Sequence, residues 1–364
     1  MKIIPLIKPY ITKEVKDKVI EVLNSGYLTE GPVTKRFEEV FRSYIGCNNA
    51  IAVTSCTTGL ELALRALEVG PGDEVIIPDY TYPATADVVS IVGANCVIVD
   101  VSPDTMLIDY DAIESAINDR TKAIIPVSIF GNPLNYNRLD NIKRRFGLFL
   151  VEDAACSIGS EYSGKKVGNH ADITVFSFHP RKFITTGEGG MITTNNDKWA
   201  TWMESYKHFG MDRSDSREGM LFMRIGTNYK LSNLLSAIGL SQMGFIDELL
   251  KRRRMLAKNY TELLKDTGKI KIPKVTSAGK HSFQSFCVFL ENRDCILKQM
   301  RSEGIEVQIG TYSLHMQPAF RNLDIREPLE GSRYAWRYCL TLPLYHELSR
   351  DDQQYVVNKL KSFL

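Results

Sequence analysis

No run of eighteen apolar residues occurs in the 364-residue chain, and its first nine residues hold no apolar stretch behind basic ones, so neither a membrane span nor a secretory leader is expected. A cytoplasmic protein with no membrane partner follows as the expectation. An excess of one charge is also missing: 45 Lys and Arg face 43 Asp and Glu, and a formal net charge of +2 gives nucleic acid no footing. The densest basic run, Lys251 to Arg254, is expected to be the solvated face of a helix. The seven cysteines, at 47, 56, 96, 156, 287, 295 and 339, are odd in number and never spaced C-x-x-C, which argues against a disulfide framework and against a zinc cluster. None of the six histidines forms an H-x-x-x-H pair, so no metal site is expected. Repeats and low-complexity tracts are absent as well.

What is present is an ordinary globular composition, 44% hydrophobic and 24% charged, long enough for two or three domains at most. From Ala50 the chain alternates strand and helix patterns: AIAVTS (50–55), GLELALRAL (59–67), EVIIP (74–78), a helix through Ala84 to Val92, CVIVDV (96–101), AIIPVSIF (123–130) and LFLVED (148–153). That alternation predicts a mostly parallel sheet covered by helices on both faces, with ligands at the carboxyl ends of its strands. Helices are expected before it at 11–24 and 33–44, separated by the loop GYLTEGP, and after it at 197–209 and through 231–264. The mixed-charge stretch 210–226 reads as a mobile loop, and 285–290, 293–302 and 351–364 supply the strand and helices of a smaller α+β unit.

The stretch TVFSFHPRKFITTGEGGMITT (174–194) reads as strand, turn, strand, with Lys182 on the connection. Upstream, LFLVEDAA closes a buried strand on an acidic pair that ends with Asp153. A lysine amine forms a Schiff base with a carbonyl cofactor, and an aspartate keeps a pyridinium nitrogen protonated, which makes the ring an electron sink. The blander reading of each residue is a solvated loop lysine and a helix-capping or ion-paired aspartate. The loop TSCTTG (54–59) offers hydroxyls and free helix N–H groups to a phosphate, or is simply an N-cap. Tyr82 in PDYTYPAT is placed either to stack on an aromatic ring or to fill the sheet–helix interface.

SGYLTEGP, SCTTGLELALRAL, GPGDEVIIPDYTYPAT, GANCVIVDV, VEDAACSIGS, FSFHPRKFITTGEGGMITT, GTNYKLSNLLSAIGLSQM and TLPLYHELS together span nearly the whole chain. In these motifs the sequence resembles the DegT/DnrJ-type sugar aminotransferases, pyridoxal phosphate (PLP) enzymes of fold type I. The resemblance implies a large PLP-binding domain at 1–245, with a mostly parallel seven-stranded sheet flanked by helices, and a small C-terminal α+β domain at 246–364. It implies that Lys182 forms the Schiff base with the cofactor and shuttles the proton, while Asp153 pairs with the ring nitrogen. Thr57, Thr58 and Ser177 become phosphate ligands, Asn228 reaches the phosphate from the other subunit of a homodimer, and Tyr82 stacks on the ring. Tyr27, His179, Glu188 and His315 are candidate substrate contacts.

The implied reaction moves an amino group from L-glutamate to a nucleotide-linked keto sugar in surface-glycan or natural-product biosynthesis. A 4-keto-6-deoxyhexose is the first expectation and a 3-keto sugar the alternative. Two other readings stand beside it. One is a PLP-dependent sugar dehydratase, against which the retained Lys182 argues, and the other is a binding or regulatory protein of the same fold. The chain departs from the family pattern at Cys56 and Thr58, where Gly and Ala are usual, at Cys156, often Gln or His, and at Lys230, where Arg is common. Lys182 is expected to have a lowered pKa and Asp153 to stay ionised.

Overall fold

The computed structural model describes residues 3–212 and 219–364. Its centre is a sheet whose strands lie in the order Asn49–Val53, Gly190–Thr194, Ile173–Ser177, Phe149–Asp153, Thr121–Ile124, Glu74–Pro78, Asn95–Val99 and Asp324–Ile325. Only Gly190–Thr194 runs against its neighbours; the remaining pairings are parallel. Every residue of Glu74–Pro78, Ile173–Ser177 and Gly190–Thr194 is buried, as a sheet covered on both faces requires.

Seven of these strands were legible as apolar runs. The eighth was not: Asp324–Ile325 is a two-residue strand from the C-terminal part that adds in parallel to the edge at Val97 and Ile98. It is too short to carry a periodic pattern, and backbone pairing alone places it.

Most helices fit their expected places within a residue or two: Lys13–Ser25, Pro32–Ile45, Ala84–Ile91, Asn233–Met243, Ile246–Leu264, Arg293–Ser302 and Arg350–Ser362, while the one foreseen at 59–67 begins three residues earlier, as Cys56–Ala66. The helix foreseen at 197–209 stops earlier, spanning Asp197–Tyr206. The loop foreseen at 210–226 falls partly on 213–218, which lie outside the described residues. On either side of them Met211 bridges Phe222 and His208 bridges Asn228.

The run Lys251 to Arg254 is not a solvated face. Arg252 donates to the His346 and Leu348 carbonyls (3.0 and 2.8 Å), Arg253 to those of Phe283 and Gln284 (3.2 and 2.6 Å), and Arg254 to those of His281 and Gly159 (3.0 and 2.8 Å). Three guanidinium groups thus bind this helix to the segments packed around it. Burial lowers the Arg253 pKa to about 10. A guanidinium has enough donors to satisfy several carbonyls at once, which is what makes such burial tolerable.

A further core gathers Leu256, Tyr260, Phe286, Leu340 and Val356 with Ile4 from the start of the chain. The C-terminal part also feeds the sheet's own cores through Phe289, Cys339, Leu314 and Leu329. Among the described residues no helix is long and apolar enough to cross a membrane.

Candidate active site

The strand Ile173–Ser177 and its antiparallel partner Gly190–Thr194 pair with Ser177 opposite Gly190, and the connection between them carries Lys182. Phe178 and Ile184 are buried and anchor this connection. Thr185 donates its hydroxyl to the Phe178 carbonyl at 2.7 Å, and Gln242 both accepts from the Thr185 N–H (3.0 Å) and donates to its carbonyl (2.8 Å). Lys182 therefore sits on a loop braced at both ends.

Along Phe149–Asp153 successive side chains leave on opposite faces. Glu152 turns into the packed side, accepting from the Tyr136 hydroxyl at 2.8 Å, and burial raises its pKa to about 7. Asp153, one residue later, faces a cavity of about 430 Å³ at the carboxyl ends of the parallel strands. Its carboxylate accepts from the Ala155 N–H (3.1 Å) and the Thr85 hydroxyl (2.9 Å). Burial nevertheless holds its pKa above the ordinary aspartate value.

Lys182 enters the same cavity and donates to the Cys156 sulfur at 3.2 Å. Its pKa lies above the ordinary lysine value, opposite to the expectation. Burial opposes the charge, but Cys156, Asp153 and Cys56 together outweigh it. The expectation assumed a lysine beside a cationic ring; in the chain itself the groups that outweigh burial at the amine are Cys156, Asp153 and Cys56.

Thr57, Tyr82, Ser177, His179 and Glu188 line this cavity too, so the structure brings most of the predicted residues together. Tyr82 is 64% exposed and its ring stands 6.3 Å from that of Tyr312. Burial lowers the His179 pKa. Four predicted residues are not on the cavity wall. Thr58 turns into the capping box of its own helix, where its hydroxyl accepts from the Ser55 N–H at 3.1 Å. Asn228 takes the Lys230 ammonium at 2.6 Å, and Tyr27 lies exposed with its carbonyl held by Asn233 at 3.0 Å. His315 packs on the buried Asp79, with its ring Nδ1 2.6 Å from the carboxylate.

The sequence reading missed several residues. Thr85 supports Asp153 from the first turn of the helix after Glu74–Pro78; a hydroxyl at that position beside a strand end was the available signal. Gln284, Gly310, Thr311 and Leu342 close the far wall of the cavity from the C-terminal part, with no local signal at all. Lys207, fully buried, gathers Glu30 (3.1 Å), Glu38 (3.4 Å) and Glu204 (3.4 Å) and so fastens the loop 26–31 beside the sheet.

The residues present fit PLP. The helix Cys56–Ala66 begins at the cavity, and among the described residues the Cys56 and Thr57 N–H groups have no acceptor, so a phosphate is matched there. Gly190 allows the close approach: a Cβ on it would stand 2.7 Å from the Ser55 carbonyl and 2.8 Å from the Cys56 nitrogen. Thr58 turns away from this end, whereas Cys56 lines the cavity. Thr58 is in the cap, and the Cys56 sulfur lies 3.9 Å from the Asp153 carboxylate.

The family model described as DegT/DnrJ/EryC1/StrS aminotransferase matches residues 9–361. The chain belongs to this family. It is 36% identical to the GDP-perosamine synthase of Caulobacter vibrioides over 98% of this chain and 97% of that protein. A Streptococcus pneumoniae protein solved in its PLP form superposes with a TM-score of 0.93 at 30% identity, covering 99% of this chain and 98% of that one. The Helicobacter pylori PseC aminotransferase, involved in pseudoaminic acid biosynthesis, superposes with a TM-score of 0.93 at 28% identity over 99% of both chains. The protein is a PLP-dependent sugar aminotransferase of fold type I.

Proposed function

We propose that this aminotransferase moves the amino group of L-glutamate to a nucleotide-linked 4-keto-6-deoxyhexose, in the cytoplasm, for surface-glycan or natural-product amino sugars. The observation that carries the reading is the placement of Lys182 and Asp153 on one cavity. The near full-length similarity to a protein named GDP-perosamine synthase supports a nucleotide-linked acceptor.

When bound, PLP supplies a carbonyl that condenses with amines and a ring that accepts an electron pair. Each remaining role belongs to this chain. Asp153, held by Thr85 and the Ala155 N–H, would keep the proton on the ring nitrogen, and a cationic partner there would oppose the effect of burial on its pKa. Lys182 would be the amine that holds the cofactor's carbonyl group, and its Nζ would take up and return the proton at the reacting carbon. The Cys56 and Thr57 N–H groups, the Thr57 and Ser177 hydroxyls and the start of the helix would hold the phosphate. Tyr82, on the cavity wall, would pack against the ring.

The protein acts as a homodimer in this proposal, with Asn228 serving the partner's site. Leu221, Phe222 and Ile225 on the segment before it are 64%, 68% and 97% exposed, an apolar surface suited to a second copy. We read 1–245 as the cofactor domain and 246–364 as the smaller domain that supplies the far wall.

Absorption spectra of the PLP-loaded protein before and after L-glutamate, followed by mass spectrometry with 4-keto and 3-keto nucleotide sugars, test the proposal. A glutamate-dependent spectral change and an amine formed from the 4-keto sugar are expected. An amine formed only from the 3-keto sugar overturns the regiochemistry, and a spectrum indifferent to glutamate overturns the donor.

A further inference from the structure

The start of the chain forms a wall beside the cavity. Ile4 donates to the Gly304 carbonyl (2.9 Å) and accepts from the Glu306 N–H (2.9 Å), Leu6 donates to the Glu306 carboxylate (2.9 Å), and Leu344 donates to the Leu6 carbonyl (2.9 Å). Ile3, Leu6 and Ile7 on this side and residues 304–308 on the other enclose a second, more open cavity of about 530 Å³. It adjoins the first: Leu6, Ile7, Arg181 and Gln308 line both.

Arg181 stands at that junction, one residue before Lys182, with its side chain exposed. Its backbone is fixed, the N–H donating to the His179 ring at 3.2 Å and the carbonyl accepting from Gln284 at 2.6 Å. Among the described residues its guanidinium has no carboxylate or carbonyl partner. The other charges of the second cavity are engaged. Arg301 is committed to the Val307 carbonyl (2.9 and 3.0 Å) and the Gln308 side chain (2.8 Å), and Glu306 to the Leu6 N–H.

We propose that Arg181 binds the diphosphate of the nucleotide-linked acceptor, with the sugar in the Lys182 cavity and the nucleoside in the second cavity. This rests on the nucleotide-sugar reading above. The donor amino acid requires only the first cavity, so the second is matched to a longer ligand. A nucleotide sugar has two neutral ends joined by an anionic middle, and two cavities meeting at a free guanidinium repeat that order. A planar fork of donors is the group suited to paired phosphate oxygens.

The test uses the PLP-loaded enzyme and its Arg181→Gln and Arg181→Lys variants, with GDP and UDP as probes by calorimetry and the glutamate half-reaction followed spectrally. Arg181→Gln is expected to weaken binding of the better nucleoside diphosphate by at least ~10-fold, as for loss of a charge-assisted contact. Arg181→Lys should lose less, and the KM for glutamate should hold within about twofold in both variants. Equal nucleotide affinity in wild type and Arg181→Gln overturns the proposal. So does a raised glutamate KM with nucleotide binding intact, which would give the guanidinium to the donor carboxylate. Failure of the wild type to bind either nucleotide, with the glutamate half-reaction intact, overturns the nucleotide-sugar reading along with this one.

Discussion

Lys182 and Asp153 show how far a residue's chemistry depends on its neighbours. Burial works against charge on both, and the amine is still raised because the Cys156 sulfur, Asp153 and Cys56 surround it. Capture of a carbonyl needs the neutral amine, so Cys156→Ala, which removes one of those groups, should lower the amine pKa. The pH profile of PLP uptake, measured by stopped flow, should then move toward lower pH; an unmoved profile would show that Cys156 does not set the amine. Asp153→Asn keeps the shape and removes the charge, and turnover should fall by about 10²- to 10⁴-fold, the range for a group that handles a proton. Glu152, one residue away, has a different fate. Its folded pKa of about 7 exceeds the ordinary glutamate value of 4.5, so its stabilising contribution is complete below pH 4.5 and is lost as pH rises through about 7. Urea unfolding should show wild type losing about 2–3 kcal/mol relative to Glu152→Gln between pH 4.5 and 8. Lys182 and Asp153 were legible because a strand end and a hairpin turn are local patterns. Thr85 and Cys156 as their partners were not, because those contacts join segments far apart in sequence.

At the scale of elements, one crossing shapes the proposed phosphate site: the start of Gly190–Thr194 lies against the turn that opens the helix Cys56–Ala66. Gly190→Ala places a Cβ against backbone atoms that cannot rotate aside, so strand and helix must separate. A destabilisation of about 1–3 kcal/mol is expected by thermal or urea unfolding, together with weaker PLP binding by fluorescence titration. Wild-type PLP affinity in this variant would mean that the helix start does not hold the phosphate. The Cys56–Ala66 helix was readable from its hydroxyl-rich start and apolar spacing. The arginines of Ile246–Leu264 were misread as solvated, because composition alone cannot tell a guanidinium in water from one that holds three carbonyl-bearing segments together.

At the scale of the molecule, the cavity is assembled from both halves of the chain: Asp153 and Lys182 come from the sheet, and Gln284, Gly310 and Thr311 close it from the other side. In the proposed dimer the apolar side chains exposed near Asn228 meet a second copy. Phe222→Asp combined with Ile225→Asp should therefore convert a dimer into a monomer in analytical ultracentrifugation and reduce turnover. Unchanged sedimentation would remove that segment from the interface.

The sequence by itself determined seven strands of the sheet, because apolar strand runs are short-range patterns that survive without coordinates. It also determined the family, through ordered motifs along nearly the whole chain. Only the tertiary structure decided which groups touch Lys182 and Asp153, that Thr58 caps its helix while Thr57 lines the cavity, that an eighth strand extends the sheet, and that a second cavity meets the first at Arg181. These depend on contacts between residues as far apart as Ile4 and Gly304, whose pairing follows from packing of the whole chain and leaves no periodic trace in either segment.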